Sequence, residues 1–411
     1  MRVICDPLPG FETLALSVVI GRGSRWETKA HSGWAHLLEH MVFKGAGDRS
    51  ARDIVEVIEA AGGNINAATG YERTSYQVRA LKGGLGLGMA VIADLVRRPT
   101  LDAAELEREK GVIAQEIAEA ADAPDDLVFD LAQTAAFGDT ALGRPILGTP
   151  ETLAPATPAS VAAFRSLLYA PDRIVISAAG AVDEDELLAE AERHFGDDRA
   201  SGVEQTAPDA GAFSGGVQKK TARLEQANLV FMLPACDSKD PAYFATRLFA
   251  EALGGGMTSR LFQEVREKQG LVYAIDAFVE SYADVGVMGI FAGCAAGDAA
   301  KAARVSAQQV AALSSAPQAD ELARAKAQLK GGLFMARESA LARAEQSAGQ
   351  VLLFDRLIPP AELAERVDAV SLYDLRKVGE RALSSGFSAR TVLGPAAAGP
   401  AAEAFVAGLS Q

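Results

Sequence analysis

The apolar positions of the chain fall into short continuous runs and helically spaced sets, and these follow one another in a similar order twice. Leu14–Ile20 is an apolar run around one serine, the pattern of a strand. The segment His36–Phe43 spaces its apolar residues by three and four, as an amphipathic helix does. Ser50–Ala61 predicts a second helix, stopped by Gly62 and Gly63. A strand-like stretch over Asn64–Val78 follows, and then long helices over about 83–97 and 102–121. The second half opens on a strand, Ala227–Met232, followed by a helix over Pro241–Leu253. Gly254, Gly255 and Gly256 then punctuate before a helix over Ser259–Glu267. Strands over Tyr273–Val279 and Val285–Ala292, with helices over about 298–313 and 319–344, complete the series.

Between the halves, residues 196–216 are rich in Gly, Ser, Ala and charge and have no apolar period, so they read as a linker. The predicted organisation is two α+β domains, 1–200 and 217–411, each a sheet covered by helices, with the linker at 201–216. Their shared element order suggests a distant duplication, although residue identity between the halves is too weak to establish one.

The 411 residues suffice for two domains of ordinary size, and 49% hydrophobic with 23% charged residues describes a soluble globular chain. A net charge of -14 repels phosphate backbones, which argues against nucleic acid and favours basic or extended peptides as partners. The N-terminus has no basic stretch leading into an apolar run, so no signal peptide is expected. No run approaches the roughly 18 apolar residues of a membrane span. Cys5, Cys236 and Cys294 lie far apart without zinc-ligand spacing, as reduced and mostly buried thiols do, and a cytoplasmic location is expected.

Chemistry concentrates in His36-Leu37-Leu38-Glu39-His40, which uses two of only 4 histidines. On a helix, positions three and four apart share a face, so both imidazoles and the carboxylate point into one small volume. Two imidazoles suit zinc, and a carboxylate beside them that does not bind the metal can serve as a general base. The order is the inverse of the commoner zinc-peptidase motif. Zinc at a catalytic site takes a third protein ligand. His31 lies in a loop-like stretch before the helix and reads as a surface or supporting residue, and His194 sits at a distant helix end, where a cation favours the dipole. A carboxylate must then serve, and the helix from Asp102 carries Glu105, Glu107, Glu109, Glu116 and Glu119. Leu106, Val112, Ile113 and Ile117 mark its predicted buried side, near which Glu109 and Glu116, two turns apart, share a face while Glu105 and Glu119 stay solvated. The spacing alone does not separate ligands from a set of solvated surface charges.

The histidine motif with Met41-Val42-Phe43-Lys44-Gly45, followed by Glu109 and Glu116, resembles the pitrilysin family of zinc peptidases. The likeness is strongest to the branch holding the mitochondrial processing peptidase and its bacterial relatives. It continues through Gly62–Ala67, Gly143–Pro150, Arg260-Leu261, Arg266, Gly270, Leu271 and Tyr273, and spans roughly residues 11 to 385. Two departures stand out, Ala46 in place of a common threonine and Trp34 in place of a smaller apolar residue.

The resemblance implies one zinc ion per chain, with Glu116 as third ligand, Glu109 orienting the site and Glu39 as general base. It implies mainly antiparallel sheets in two similar domains that form half of a clamshell chamber. The second domain would be inactive and would supply Arg266 and Tyr273 to hold the substrate carbonyl. Because both motifs stand in one chain, a homodimer is implied in which each zinc site receives that pair from the partner chain, in preference to a heterodimer. Peptide would add as a strand at Gly63–Thr69, touching Asn66 and Ala67, with Phe43 lining the pocket beside the metal. The expected activity is endoproteolysis of short or unfolded peptides, in degradation or in maturation of one precursor. The alternative is a non-catalytic structural subunit of a heteromeric complex, a role for which relatives have usually lost parts of the zinc motif.

Overall fold

The computed structural model describes residues 1–197 and 211–410. Most of the expected linker at 201–216 therefore lies outside the described residues, and 211–215 run without regular structure into a strand at Gly216.

Strand β1 (Arg2–Pro7) and strand β2 (Thr13–Ile20) lead to helix α1 (Trp34–Val42). The two-residue ribbon β3 (Gly45–Ala46) and β4 (Arg49–Ser50) then turns into α2 (Ala51–Ala60), which Ser50 caps in a reciprocal box with Asp53. The stretch expected as one strand over 64–78 is a hairpin, β5 (Asn64–Thr69) and β6 (Thr74–Leu81), closed by a turn in which Gly70 N–H donates to Arg73 O at 2.8 Å. Helices α3 (Leu85–Arg97), α4 (Ala103–Asp122) and α5 (Pro124–Phe137) follow. Next come α6 (Pro150–Leu153), α7 (Pro158–Leu168), β7 (Ile174–Gly180) and α8 (Glu184–Phe195).

The remainder begins with β8 (Gly216–Thr221), β9 (Gln226–Ala235) and α9 (Tyr243–Gly254). The helix expected over 259–267 is a wide π-helical turn at Phe262–Glu267. Strands β10 (Ala274–Ser281) and β11 (Gly286–Ala295) precede α10 (Ala299–Ser315), α11 (Ala319–Ala336) and α12 (Ala340–Phe354). Helices α13 (Pro360–Ala369) and α14 (Leu372–Ser384), strand β12 (Ala389–Gly394) and α15 (Ala401–Leu409) end the chain.

Each half builds a 5-stranded sheet, and the two sheets have one topology. The first runs β1-β7-β2-β6-β5 and the second, read from its other edge, β8-β12-β9-β11-β10. In each, one edge pair is parallel (β1 with β7, β8 with β12) and the remaining pairs are antiparallel. This shared strand order and sense of pairing supports the duplication that residue identity left open.

The two compact units are not the continuous halves expected at 1–200 and 217–411. The first holds residues 1–118, 145–197 and 334–358, and the second residues 119–144, 211–333 and 359–410. The reason is burial on both faces of each sheet. In the first, Leu14, Leu16, Val18 and Ile20 of β2 face α1 and α3, whereas Val19, with Ile4 and Val175, is covered by Ala348 and Val351 of α12. Strand β2 thus has no polar side, which is why its sequence lacks alternation. Helix α5 does the same for the second sheet, packing on β8, β9 and β12. The helix expected over 319–344 is accordingly two, separated at 337–339, where Ser339 Oγ accepts from Ala342 N–H at 3.3 Å and starts α12. No helix among the described residues is long and apolar enough to cross a membrane.

Candidate metal centre

Helix α1 is fixed at its start by backbone contacts that only particular residues allow. Gly33, its N-cap, has φ 89°, and a Cβ there would stand 2.6 Å from Leu147 O, so glycine is required. The buried Glu27 carboxylate accepts from Gly33 N–H at 2.9 Å and from Ala35 N–H at 2.7 Å. It thereby satisfies amides that the first turn leaves unpaired and sets a negative charge at the positive end of the helix. Trp34, noted above as a departure, is buried, donates Nε1–H to Thr152 O at 2.9 Å and packs against the rings of His31 and Phe164. With Leu37, Leu38 and Met41 buried in the core, His36, Glu39 and His40 occupy the half-buried face.

Helix α4 packs through Leu106 and Ile113, and Glu109 beside them is only 3% exposed. Val112, expected on this buried side, is 43% exposed, because one residue before Ile113 is turned about 100° away from it. Glu119 is exposed as expected, while Glu105 is half-buried.

The two helices bring four of the expected residues together. His36 Nε2 lies 3.9 Å and His40 Nε2 3.6 Å from Glu116 Oε2, and one ligand atom from each residue lies within 4.8 Å of the others. His40 Nδ1 is 2.9 Å from Glu109 Oε2 and donates to that carboxylate, which turns Nε2 toward Glu116. Two imidazole nitrogens and one carboxylate oxygen make a donor set that zinc accepts, with a further position left for water. The residues fit the ion.

Electrostatics agree with a site kept ready for a cation. Burial pushes the His36 pKa down to about 4, with the His40 ring adding to the effect, so the His36 imidazole is neutral at neutral pH. Burial also raises the Glu39 pKa, while hydrogen bonds from Thr69 and the neighbouring His40 oppose the rise. Thr69 Oγ1 donates to Glu39 Oε2 at 2.5 Å. Lys44 Nζ, 2.8 Å from Glu109 Oε1, neutralises that buried carboxylate. Sequence reasoning assigned no role to Thr69 or Lys44. Lys44 stood inside the quoted motif, but nothing in the motif says which carboxylate it meets.

The remaining expected residues are dispersed. Phe43 ends α1 half-buried, its ring 6.5 Å from that of Tyr76, at the margin of the core. Strand β5 is an edge strand, as expected, with Asn66 exposed and Ala67 turned toward the core. Asn66 Oδ1 accepts from Ala67 N–H at 2.9 Å. Arg266 and Tyr273 belong to the second unit. There the Arg266 guanidinium lies 4.7 Å from the centre of the Phe262 ring, and Tyr273 is 46% exposed with its ring over Gly293. His31 packs on Trp34, and His194 pairs with Glu190 at 3.3 Å. In the second sheet α9 follows β9 as α1 follows β2, but it carries no histidine.

Comparison with known proteins agrees with these features. Residues 2–150 match the family model described as insulinase (peptidase family M16), and residues 155–329 match that of the peptidase M16 inactive domain. An uncharacterized zinc protease of Rickettsia bellii is 33% identical over 396 residues, covering 96% of this chain and 95% of its own length. The uncharacterized zinc protease YmxG of Bacillus subtilis is 34% identical over 373 residues, covering 90% of this chain and 91% of its own. Among solved structures, a protease from Helicobacter pylori superposes with a TM-score of 0.86 at 20% identity, covering 96% of this chain and 97% of that one. A chain of complex III2 from Candida albicans, solved with Inz-5 bound, superposes with a TM-score of 0.82 at 20% identity over 95% of this chain and 93% of its own. At such identity these two likenesses speak for the fold.

Proposed function

The chain belongs to peptidase family M16, and from that premise we propose that it is a zinc-dependent endopeptidase acting on short or unfolded peptides. One observation carries the reading. Three donor atoms of a zinc ligand set converge beside a half-buried carboxylate, Glu39, that is not among them. In the proposal one ion per chain is held by His36, His40 and Glu116. Bound there, zinc supplies Lewis acidity, which polarises a peptide carbonyl and brings the pKa of water toward about 7. Glu39 takes the proton of the attacking water and returns it to the leaving amine. Glu109 holds the His40 ring in its ligating tautomer.

The exposed edge of β5 offers backbone groups to an extended peptide, with Asn66 and Ala67 at the point of addition, where Asn66 Oδ1 would give up Ala67 N–H. The net charge of -14 favours basic sequences. Arg266 and Tyr273 are proposed to act across a homodimer, each pair holding the substrate carbonyl at the partner chain's zinc. The alternative of a non-catalytic subunit has fold likeness alone on its side, and this chain keeps both histidines, Glu39 and Glu116.

The test is cleavage of a quenched basic peptide before and after chelation. Activity should vanish with chelator and return with stoichiometric zinc, and a Glu116→Gln protein should no longer hold the ion. Undiminished cleavage by metal-free protein would refute the reading.

A further inference from the structure

We propose that Thr69 positions the general base, tying one oxygen of the Glu39 carboxylate so that the other is left to take the proton of the attacking water. The inference rests on the peptidase reading above and adds a residue to its machinery. The hydrogen bond is short, 2.5 Å from Thr69 Oγ1 to Glu39 Oε2, as expected for a hydroxyl on a charged acceptor. An untied glutamate side chain samples several rotamers, whereas a general base must stay within hydrogen-bond reach of its proton. A β-branched threonine, restricted at χ1, is a stiff anchor.

Both ends of this hydrogen bond are tied to one segment, residues 23–27. Thr69 closes the β5–β6 ladder opposite Thr74, and the turn after it is pinned by Ser24 N–H to Gly70 O at 3.0 Å and Arg25 N–H to Tyr71 O at 2.8 Å. The partly buried Arg25–Glu72 ion pair, at 2.8 Å, locks the same turn. Two residues further, Glu27 caps α1, the helix that carries Glu39. The separation of Thr69 from Glu39 is therefore set by backbone contacts on both sides. Along β5, Ile65, Ala67 and Thr69 alternate with the exposed Asn64, Asn66 and Ala68. The strand whose edge would take substrate is thus the strand that aims the base.

The experiment compares Thr69→Val, which keeps the shape and removes the hydroxyl, with Thr69→Ser, which keeps the donor. Zinc-loaded Thr69→Val should lose about 10-fold or more in kcat with KM within about twofold, and Thr69→Ser should stay within about threefold of wild type. Adding Thr69→Val to Glu39→Gln should slow the enzyme no further, since the residue acts through Glu39. Crystal structures supply a readout apart from turnover, in which the Glu39 carboxylate moves in Thr69→Val and stays in Thr69→Ser. If Thr69→Val does not fold, Thr69→Ala takes its place with the same expectations. An unchanged kcat, or a carboxylate that does not move, would overturn the proposal. Failure of the peptidase reading shows differently, as a wild type inert on every peptide, and the carboxylate position then decides the role of Thr69.

Discussion

His40 Nδ1 stands 2.9 Å from Glu109 Oε2, and this contact gives a residue at 3% exposure a reason to be acidic. A buried carboxylate is tolerated when its charge is met. Here it is met twice, by His40 on one oxygen and by Lys44 at 2.8 Å on the other. Glu109 thereby decides which nitrogen of His40 faces Glu116.

Replacing Glu109 by alanine should weaken zinc binding by roughly 10- to 100-fold, the range found when the supporting partner of a metal-bound histidine is removed. Titration against a competing chromophoric chelator measures this. Affinity within twofold of wild type would show that the ring needs no such support.

Glu27 should matter to the helix more than its distance from the ligands suggests. Glu27→Ala removes the acceptor of two α1 amides, and a lost cap costs about 1–2 kcal/mol. Urea unfolding of the zinc-free protein should show that loss, and Glu27→Gln, which keeps an acceptor without the charge, should lose less. Equal losses in the two variants would mean that the charge contributes nothing.

The pH dependence of the zinc-free protein has a definite sign. In the unfolded chain the His36 pKa is about 6.5, and burial in the fold pushes it down to about 4. Between those values the unfolded state binds more protons, so this contribution is full above pH 6.5 and is lost as pH falls toward 4. The shift corresponds to about 3 kcal/mol at most. Glu39, whose pKa is raised, works in the opposite direction, since its contribution is present at low pH and lost as pH rises through its folded value. Comparing wild type with His36→Gln, both retaining Glu39, isolates the histidine. The urea midpoint should fall more steeply in wild type between pH 7 and 4.5, and parallel slopes would contradict this.

Much of this architecture is legible in the residue pattern, because α1, α2, α4 and α10 bury one face and carry ordinary helical periods. The hairpin turn at 70–73 has no sequence signal, since Gly70-Tyr71-Glu72-Arg73 lacks the usual pair of turn residues. The break at 337–339 has neither glycine nor proline, and its single signal is the Ser339 cap. The crossing of α5 and α12 to the other sheet has no local signature, for each is an ordinary amphipathic helix whose partner strands lie far away in sequence. At the site, the periodicity of α4 put Glu109 and Glu116 on one face without giving either a role. Thr69 was invisible because nothing in the sequence says that the end of β5 meets Glu39.

The most direct test of the account is Glu39→Gln, with zinc content and peptide cleavage measured on the same sample. The account predicts one zinc per chain, as in wild type, and a rate lower by roughly 100-fold or more, the contribution of a positioned general base. A fully zinc-loaded Glu39→Gln protein that cleaves at the wild-type rate would contradict it.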